Sequence, residues 1–335
     1  MIVLRRLATA LPVVAGVIVV TFLMTRALPG DPAVYFAGQA ATQQAIDEIR
    51  HQLGFDRSLP VQFLDYLDRL AHGDLGTSLT TGQPVLTELL TRLPASAELM
   101  LLALFFSVTI AVPLGITAAM RPGSPVDHAC RVVTTAGVSL PTFFTGLLLV
   151  YVFYYLLGVA PAPIGRLDVF FSAPPPHTGL YLIDSLLTGD VETFRAVLAQ
   201  LILPAATMAI FALAPLARIT RAAMLGALGS EFVRTARASG LARGRIVFIY
   251  AFRNAVLPVI TTLGVVFSFM LGANVLVEKV FAWPGLGSYA VEALIASDYA
   301  PVQGFVLMMA LLYVLLNLVI DLVYGFVDPR VRLEA

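Results

Sequence analysis

Side chains that could carry chemistry are sparse in this chain, and their spacing does not suit phosphate binding or covalent catalysis. No G-x-x-x-x-G-K-[ST] loop occurs and the single lysine is Lys279, so the chain has no motif of its own for cradling ATP phosphates. The closest approach to a G-x-S-x-G nucleophile turn, at 137–141, lacks the second glycine. An intramembrane enzyme is therefore disfavoured, because no nucleophile and base can be named.

Metal-binding patterns are equally absent from the sequence. Cys130 is the single cysteine, which excludes an internal disulfide and a cysteine-built metal site. The four histidines have no ligand spacing and lie at His51, His72, His128 and His177. We therefore expect no catalytic, cofactor-binding or metal-binding residue in this chain.

One polar pair falls inside an apolar stretch near the C-terminus. Asn317 and Asp321 are four residues apart, so a helix places both on one face, and an acid within a membrane helix is a candidate functional residue. The alternative is that Asp321 lies near the cytoplasmic end of its helix and pairs with an arginine. Glu98 opens another apolar stretch and is expected to reach external water. An ion-coupled secondary transporter would need a charge cluster near the bilayer midplane, and none is visible.

The segment 217–254 is the most informative part of the chain because it is strongly basic. It contains one acid, Glu231, and seven arginines: Arg218, Arg221, Arg234, Arg237, Arg243, Arg245 and Arg253. Arginines alone would explain an ordinary cytoplasmic loop against anionic lipid. The local pattern goes further and indicates a helix, a glycine and a second helix.

This pattern predicts a small docking helix for a soluble partner. Ser230 is expected to cap a helix that starts at Glu231, with Phe232, Val233 and Ala236 on one face and Arg234 and Arg237 on another. Gly240 is expected to end that helix in a left-handed conformation. A second short helix is predicted from Leu241 to Tyr250.

The elements that position this segment are membrane helices. The chain of 335 residues is 59% hydrophobic and only 13% charged, which excludes a nucleic-acid binder and an ordinary cytosolic enzyme. Six apolar windows are long enough to cross a membrane, at about 7–25, 97–120, 132–158, 196–217, 255–277 and 302–326. The first resembles a signal peptide, but its apolar run is too long and no A-x-A site follows, so we expect a retained span.

The arginines also predict the orientation of the spans. Arginine-rich segments fall on one side, which predicts that both termini and the 217–254 loop are cytoplasmic. The predicted class is therefore an all-α integral membrane protein with six transmembrane helices. Its predicted parts are a first helix at 1–28, an extracytoplasmic scoop-like domain at 29–96, and a five-helix core at 97–330.

Stretches along the whole chain resemble ABC importer permeases of the dipeptide/oligopeptide/nickel branch, the DppB/OppB type. The resemblance begins with the runs 231–241 and 253–258 around the docking helix. It extends to Pro29-Gly-Asp-Pro32, Gly73-Asp-Leu-Gly-Thr-Ser-Leu79, Ser139-Leu-Pro-Thr-Phe143, Trp283-Pro-Gly-Leu-Gly287 and Asp328-Pro-Arg330. These matches keep their order along the chain, which makes them specific together.

The resemblance implies that Phe232 to Gly240 is a coupling helix that inserts into a cleft of an ATPase subunit. The residues implied in coupling are Glu231, Phe232, Val233, Arg234, Ala236, Arg237 and Gly240. The general importer pattern starts with Glu-Ala-Ala, whereas this chain has Arg234-Thr235-Ala236 at the aligned positions. The peptide branch shares this variant, so the coupling role is retained, but a charge-pair role for Glu231 does not follow.

The resemblance also implies an assembly in the bacterial plasma (inner) membrane. Its other members are a second paralogous permease, one or two ABC ATPase subunits and an extracytoplasmic substrate-binding protein, with membrane lipid around the spans. ATP and Mg²⁺ belong to the ATPase and not to this chain. Peptides are the expected cargo, and nickel, glutathione, haem and oligosaccharide stay open as alternatives.

Overall fold

The computed structural model describes residues 2–27, 33–34, 41–52 and 54–327, and its regular elements there are helices. One isolated β-bridge joins Thr77 and Pro84. The chain divides into two compact units. Unit 1 comprises Met1–Ser96 and Pro284–Val314, and unit 2 comprises Ala97–Trp283 and Leu315–Ala335.

The helices are numbered in chain order. Unit 1 contains α1 (Ile2–Ala27), α2 (Gln43–Gln52), α3 (Leu59–Ala71) and α11 (Leu286–Ile295). Unit 2 contains α5 (Pro125–Ser139), α6 (Thr142–Leu156), α7 (Tyr181–Leu187), α8 (Val191–Leu228), α9 (Glu231–Ala238) and α10 (Arg243–Val280). Residues of α4 (Val85–Met120) and α12 (Tyr299–Val327) belong to both units. Val150–Leu156 of α6 and Ile246–Ala251 of α10 are π-helical.

Unit 1 is built around a small apolar cluster at the start of α4. Val85 and Leu89 of α4 pack with Leu286 and Tyr289 of α11, and all four side chains are buried. The Leu286 amide donates to Ser96 Oγ at 2.8 Å across 190 residues of sequence. A late segment of the chain therefore completes the packing of an early one.

The last turn of α1 joins the same unit by ring and polar contacts with α3. The Phe22 ring lies edge-on to Phe63, with centroids 5.1 Å apart, and stacks on Tyr66 at 5.8 Å. Arg26 Nε donates to Gln62 Oε1 at 2.9 Å. These contacts hold α3 against the end of the first predicted span.

Unit 2 is organised by α8, which packs against α10 and α5. Glycines permit the close approach of its neighbours. A Cβ built on Gly115 of α4 would lie 2.6 Å from the Thr220 side chain, and one on Gly137 of α5 would lie 3.0 Å from the Ile210 carbonyl oxygen. Small residues of this kind let membrane helices pack backbone to backbone.

Within the described residues, four helices are long and apolar enough to cross a membrane, namely α4, α8, α10 and α12. Together α5 and α6 pass the same test as one broken span, bent by 107°. The third predicted window, 132–158, is therefore wrong as a continuous helix, because Leu140 before Pro141 is extended (φ −106°, ψ 136°) and ends α5. Residues 11–26 of α1 form a shorter apolar helix, so the count of six spans stays a prediction.

The expectation that Glu98 reaches water is wrong. Its carboxylate is buried in unit 2, where Oε2 accepts from Arg166 Nη2 at 2.6 Å and Oε1 accepts from the Leu182 amide at 2.7 Å. The Arg166 guanidinium also lies 3.5 Å from the centroid of the Tyr181 ring. A buried carboxylate is tolerated here because a cation and a backbone donor both bind it.

Candidate functional site

The basic segment 217–254 is helical over most of its length. The long helix α8 continues to Leu228, α9 begins three residues later at Glu231, and α10 begins at Arg243. The second short helix predicted at 241–250 is wrong as a separate element, because its residues from Arg243 on belong to α10. No proline interrupts the chain between Arg243 and Pro258, and the π-helical turn at 246–251 keeps the helix continuous.

The N-terminus of α9 lies where it was predicted, but its cap differs. Ser230 occupies the N-cap position with extended backbone angles (φ −76°, ψ 156°). Its hydroxyl does not accept from the helix amides; Oγ donates to the Ala227 carbonyl at 2.5 Å instead. The serine therefore closes the end of α8 rather than the start of α9.

The C-terminus of α9 ends on a left-handed glycine, as predicted. Gly240 has φ +71°, its amide donates to the Arg237 carbonyl at 3.0 Å, and the Leu241 amide donates to the Ala236 carbonyl at 3.3 Å. This pair of bonds is the Schellman motif. A Cβ added to Gly240 would meet no atom within 4 Å, so the backbone conformation alone favours glycine there.

One face of α9 packs into the body of unit 2. Val233 is 0% exposed and Ala236 is 5% exposed. Phe232 is 42% exposed, which corrects the prediction that it shares a face with Val233. The apolar cluster around the two buried residues is formed by Ile116, Ala119, Met224, Ile246, Val247, Ala251 and Ala255. Because Val233 lies inside this cluster, its side chain is not available to fill a groove on another protein.

The other face of α9 is exposed and charged. Glu231 and Arg234 lie 3.6 Å apart with both side chains more than four-fifths exposed, so their ion pair contributes little to stability. Arg237 Nη2 is 3.5 Å from the Leu228 carbonyl oxygen. This exposed face of Glu231, Phe232, Arg234 and Arg237 carries two arginines, one acid and one aromatic ring.

A cleft of about 450 Å³ lies beside this face. Its polar lining consists of Arg237 and Arg243. Its apolar lining consists of Met120, Leu228, Leu241, Ile246 and Val247. The cleft can therefore accept an apolar side chain flanked by acidic groups.

Sequence reasoning missed the residue that binds Arg221, one of the seven arginines. Asp127 of α5 is fully buried; it accepts from Arg221 through both carboxylate oxygens and from Arg131 Nη2 at 2.6 Å. The Gly123 amide donates to it at 3.0 Å. The available signal was one acid in the first turn of α5, three residues after the N-cap Ser124, but its partner Arg221 lies 94 residues away.

Two polar pairs lie in the apolar helices of unit 2. Asn317 and Asp321 share one face of α12 as predicted, and both side chains are half-buried. The sequence analysis missed a second pair, Asn274 and Glu278 of α10. Both side chains are buried, and Asn274 Nδ2 donates to Glu278 Oε1 at 2.5 Å. The four-residue spacing was again the available signal. Among the described residues, no group of three His, Cys, Asp or Glu side chains could hold a metal ion.

Two known families match most of the chain. The family described as "Binding-protein-dependent transport system inner membrane component" matches residues 111–333. A companion family, "Binding-prot-dependent transport system membrane comp, N-term", matches residues 1–100.

Relatives that align with nearly the whole chain are named as dipeptide or di/tripeptide transport proteins. The chain is 46% identical over 319 residues to the "Probable D,D-dipeptide transport system permease protein DdpB" of Escherichia coli K12, covering 95% of this chain and 94% of the relative. It is 42% identical over 329 residues to the "Di/tripeptide transport system permease protein DppB" of Pseudomonas aeruginosa, covering 98% and 97%.

A solved structure shows the same fold. It is an inward-facing form of the MetNI methionine ABC transporter, with a TM-score of 0.54 at 15% identity. The match covers 72% of this chain and 97% of that chain. At this identity the likeness concerns the fold alone.

Proposed function

The chain belongs to the family of binding-protein-dependent transport system inner membrane components, and we propose that it moves di- and oligopeptides as the permease subunit of an ATP-driven ABC importer. The family places it in the inner membrane as a multi-pass protein. Peptide cargo is supported by the relatives, which are named as dipeptide and di/tripeptide permeases. Nickel, glutathione, haem and oligosaccharide are the alternative cargoes within the class.

Six membrane spans with both termini in the cytoplasm are part of the proposal. The four long apolar helices, the broken pair α5 and α6, and the apolar residues 11–26 of α1 would supply them. Residues 29–96 would then lie outside and the arginine-rich segment inside, in agreement with the positive-inside rule.

The proposed coupling role of α9 is supported by the way in which this helix is attached to the rest of unit 2. Two residues, 229–230, link it to α8, and four residues, 239–242, link it to α10. Val233 and Ala236 fasten it to the apolar cluster, while Phe232 and Arg234 are exposed. A protein that grips the exposed face would therefore move α8 and α10 together with α9.

The long helices contain points at which such a movement can bend them. Pro204 and Pro215 lie inside α8, and Pro258 lies inside α10. Each proline removes a backbone hydrogen bond and favours a kink. ATP-driven closure of the ATPase subunits would pull on α9 and tilt these helices. The transport pathway would then open first to one side of the membrane and then to the other.

The chain itself supplies movement and a pathway, and the other parts of the importer supply energy and selectivity. One or two ABC ATPase subunits would bind ATP and Mg²⁺, a paralogous permease would form the other half of the pathway, and an extracytoplasmic binding protein would deliver the cargo. Phe232 would enter the ATPase cleft, and Arg234 and Arg237 would face acidic groups at its rim.

Phe232→Asp tests the coupling role. The change places a charge on an exposed side chain, so the chain is expected to fold, while the ATPase subunit is lost from the purified complex and peptide uptake stops. Phe170→Asp is the matched control, because Phe170 is 90% exposed in the loop between α6 and α7, which the six-span proposal also places outside. Retention of the ATPase by the Phe232 variant at the control's level would contradict the proposal.

Cysteine labelling tests the orientation. Cys130 is the single cysteine, so Cys130→Ala gives a cysteine-free background into which Thr235→Cys or Phe170→Cys is introduced at an exposed position. A membrane-impermeant maleimide is expected to label the cysteine at 235 only in inverted vesicles and the cysteine at 170 only in intact cells. Labelling of position 235 in intact cells would overturn the orientation.

A further inference from the structure

A cavity of about 270 Å³ lies within unit 1, away from the coupling helix. Side chains from the end of α1, from α3, from the loop at 74–79 and from the start of α12 line it. Both signs of charge line this one cavity, since Arg26, Arg69, Asp74 and Asp298 all contribute to it. This unit 1 cavity is not part of the site described above.

Asp298 gives the cavity a buried acceptor that lacks a partner. Its side chain is fully buried, and one oxygen, Oδ2, accepts from Ser78 Oγ at 2.7 Å, from the Thr80 amide at 3.1 Å and from Thr80 Oγ1 at 3.2 Å. The other oxygen, Oδ1, has no hydrogen-bond partner among the described residues. An unsatisfied carboxylate oxygen in a buried site is costly and indicates that a donor is missing.

Two arginines give the same cavity its anion-binding side. Arg26 is half-buried; its Nε is engaged by Gln62, and its guanidinium lies over the rings of Phe22 and Phe55 at 5.0 and 5.1 Å. Arg69 is exposed at the mouth. Within the described part of the chain, neither arginine forms an ion pair with a carboxylate. The terminal N–H groups of Arg26 are held in a fixed plane and suit bidentate binding of an anion.

The walls and the size of the cavity limit the ligand. Phe55, Tyr66 and Tyr299 contribute aromatic surface. Burial raises the pKa of the Tyr66 phenol, so this group stays protonated and can donate a hydrogen bond. The volume lies just below the range of about 300–1,000 Å³ for sites of drug-sized ligands, which favours a molecule no larger than a dipeptide.

We propose that this cavity binds a small zwitterion, with its primary ammonium on Asp298 Oδ1 and its anionic group on Arg26. Arg69 and Asp74 at the mouth guide the two charges inward. A free dipeptide and a phosphatidylethanolamine headgroup both carry this chemistry. The choice of a dipeptide as the probe rests on the proposed function, whereas the pairing of charges rests on the cavity alone.

The purified complex without its binding protein is titrated calorimetrically with Ala-Ala, N-acetyl-Ala-Ala and Ala-Ala amide, in the absence of ATP. Ala-Ala is expected to bind, and each blocked form is expected to bind at least about tenfold more weakly because one charge-assisted contact is lost. Equal affinity for N-acetyl-Ala-Ala and Ala-Ala would overturn the proposal. So would the absence of binding by both Ala-Ala and phosphatidylethanolamine.

Asp298→Asn, with Asp68→Asn as its control, tests whether Asp298 binds the ammonium group of the ligand. Asp298→Asn keeps the shape and an acceptor for Ser78, but it removes the negative charge, so affinity for Ala-Ala is expected to fall at least about tenfold while affinity for N-acetyl-Ala-Ala stays the same. Asp68→Asn, at an exposed position of α3, is the control and should change nothing. Unchanged binding of Ala-Ala by the Asp298 variant would overturn the proposal.

Arg69→Gln keeps the proposal testable if the Asp298 variant fails to fold, because Arg69 is exposed. Its affinity for Ala-Ala is expected to fall severalfold, with no change for Ala-Ala amide. An equal loss for both probes, or no loss for either, would contradict the proposal that Arg69 guides the carboxylate of the ligand toward Arg26.

Nanodiscs distinguish the two sources of the zwitterion. If phosphatidylethanolamine weakens Ala-Ala binding relative to phosphatidylglycerol, the lipid headgroup occupies the cavity; equal binding in both lipids identifies the free dipeptide as the occupant. These measurements need no ATPase activity. Failure of the proposed function would appear separately, as unchanged ATPase retention in the Phe232→Asp complex.

Discussion

The end of α9 in unit 2 and the end of α11 in unit 1 have the same hydrogen-bond pattern but different residues. At α9 the left-handed residue is Gly240, and both it and the face around it are exposed. At α11 the left-handed residue is Ser297 (φ +56°); its amide donates to the Leu294 carbonyl at 3.2 Å, and the Asp298 amide donates to the Ala293 carbonyl at 2.8 Å.

The difference follows from what each end is packed against. A left-handed conformation costs a non-glycine residue about 1–2 kcal/mol. The α11 helix, with six of its ten residues buried, can hold this strain, and the next residue is the buried Asp298. The end of α10 repeats the arrangement, with Ala282 at φ +50° followed by the fully buried Trp283. The α9 helix has two buried residues, Val233 and Ala236, and ends on glycine.

Val233→Asp should have the largest effect, because Val233 is one of the two buried residues that hold α9 in place, whereas α11 has six. A charge inside the apolar cluster is expected to lower the free energy of unfolding by about 3 kcal/mol or more and to release α9. The apparent Tm of the purified complex, measured at one scan rate, reports the loss. Thr235→Asp, exposed on the same helix, should change stability by less than about 0.5 kcal/mol. Equal Tm values for the two variants would show that α9 is not fastened through Val233.

Gly240→Val should have an intermediate effect. A β-branched residue is strained at φ +71°, so a loss of about 1–2 kcal/mol is expected even though the space around the position is open. Gly240→Asn is the control, since asparagine adopts this conformation more readily. The difference in Tm between the two variants isolates the backbone strain. Equal Tm values would mean that the turn at position 240 can rearrange.

Ser297→Gly should have the smallest effect and the opposite sign. Glycine relieves the strain at φ +56° but gains freedom in the unfolded chain, so a net stabilisation of about 0.5 kcal/mol is expected. The Tm of the purified complex should rise slightly. A lower Tm would show that the serine side chain supports Asp298 in a way that its conformation does not reveal.

Local features of the sequence predicted α9 closely. Its length and its left-handed end at Gly240 follow from an apolar run and a glycine at helical spacing. Its start at Glu231 was predicted from Ser230 as the cap, although the Ser230 hydroxyl bonds to the end of α8 instead. Composition was enough for the membrane class, because 59% hydrophobic residues cannot be buried by a soluble fold of this length. The features of α9 depend on neighbours within about two helical turns, whereas the membrane class depends on composition alone.

The tertiary structure decided which groups are buried and what they bind. Phe232 and Val233 are adjacent and both apolar, and only the position of the surrounding helices buries one and exposes the other. Asp127, Glu98 and Asp298 each bind a distant partner, namely Arg221, Arg166 and Ser78, which lie 94, 68 and 220 residues away. These long-range pairs and the burial of each group depend on atoms that meet only after folding, so no pattern of spacing along the chain could supply them.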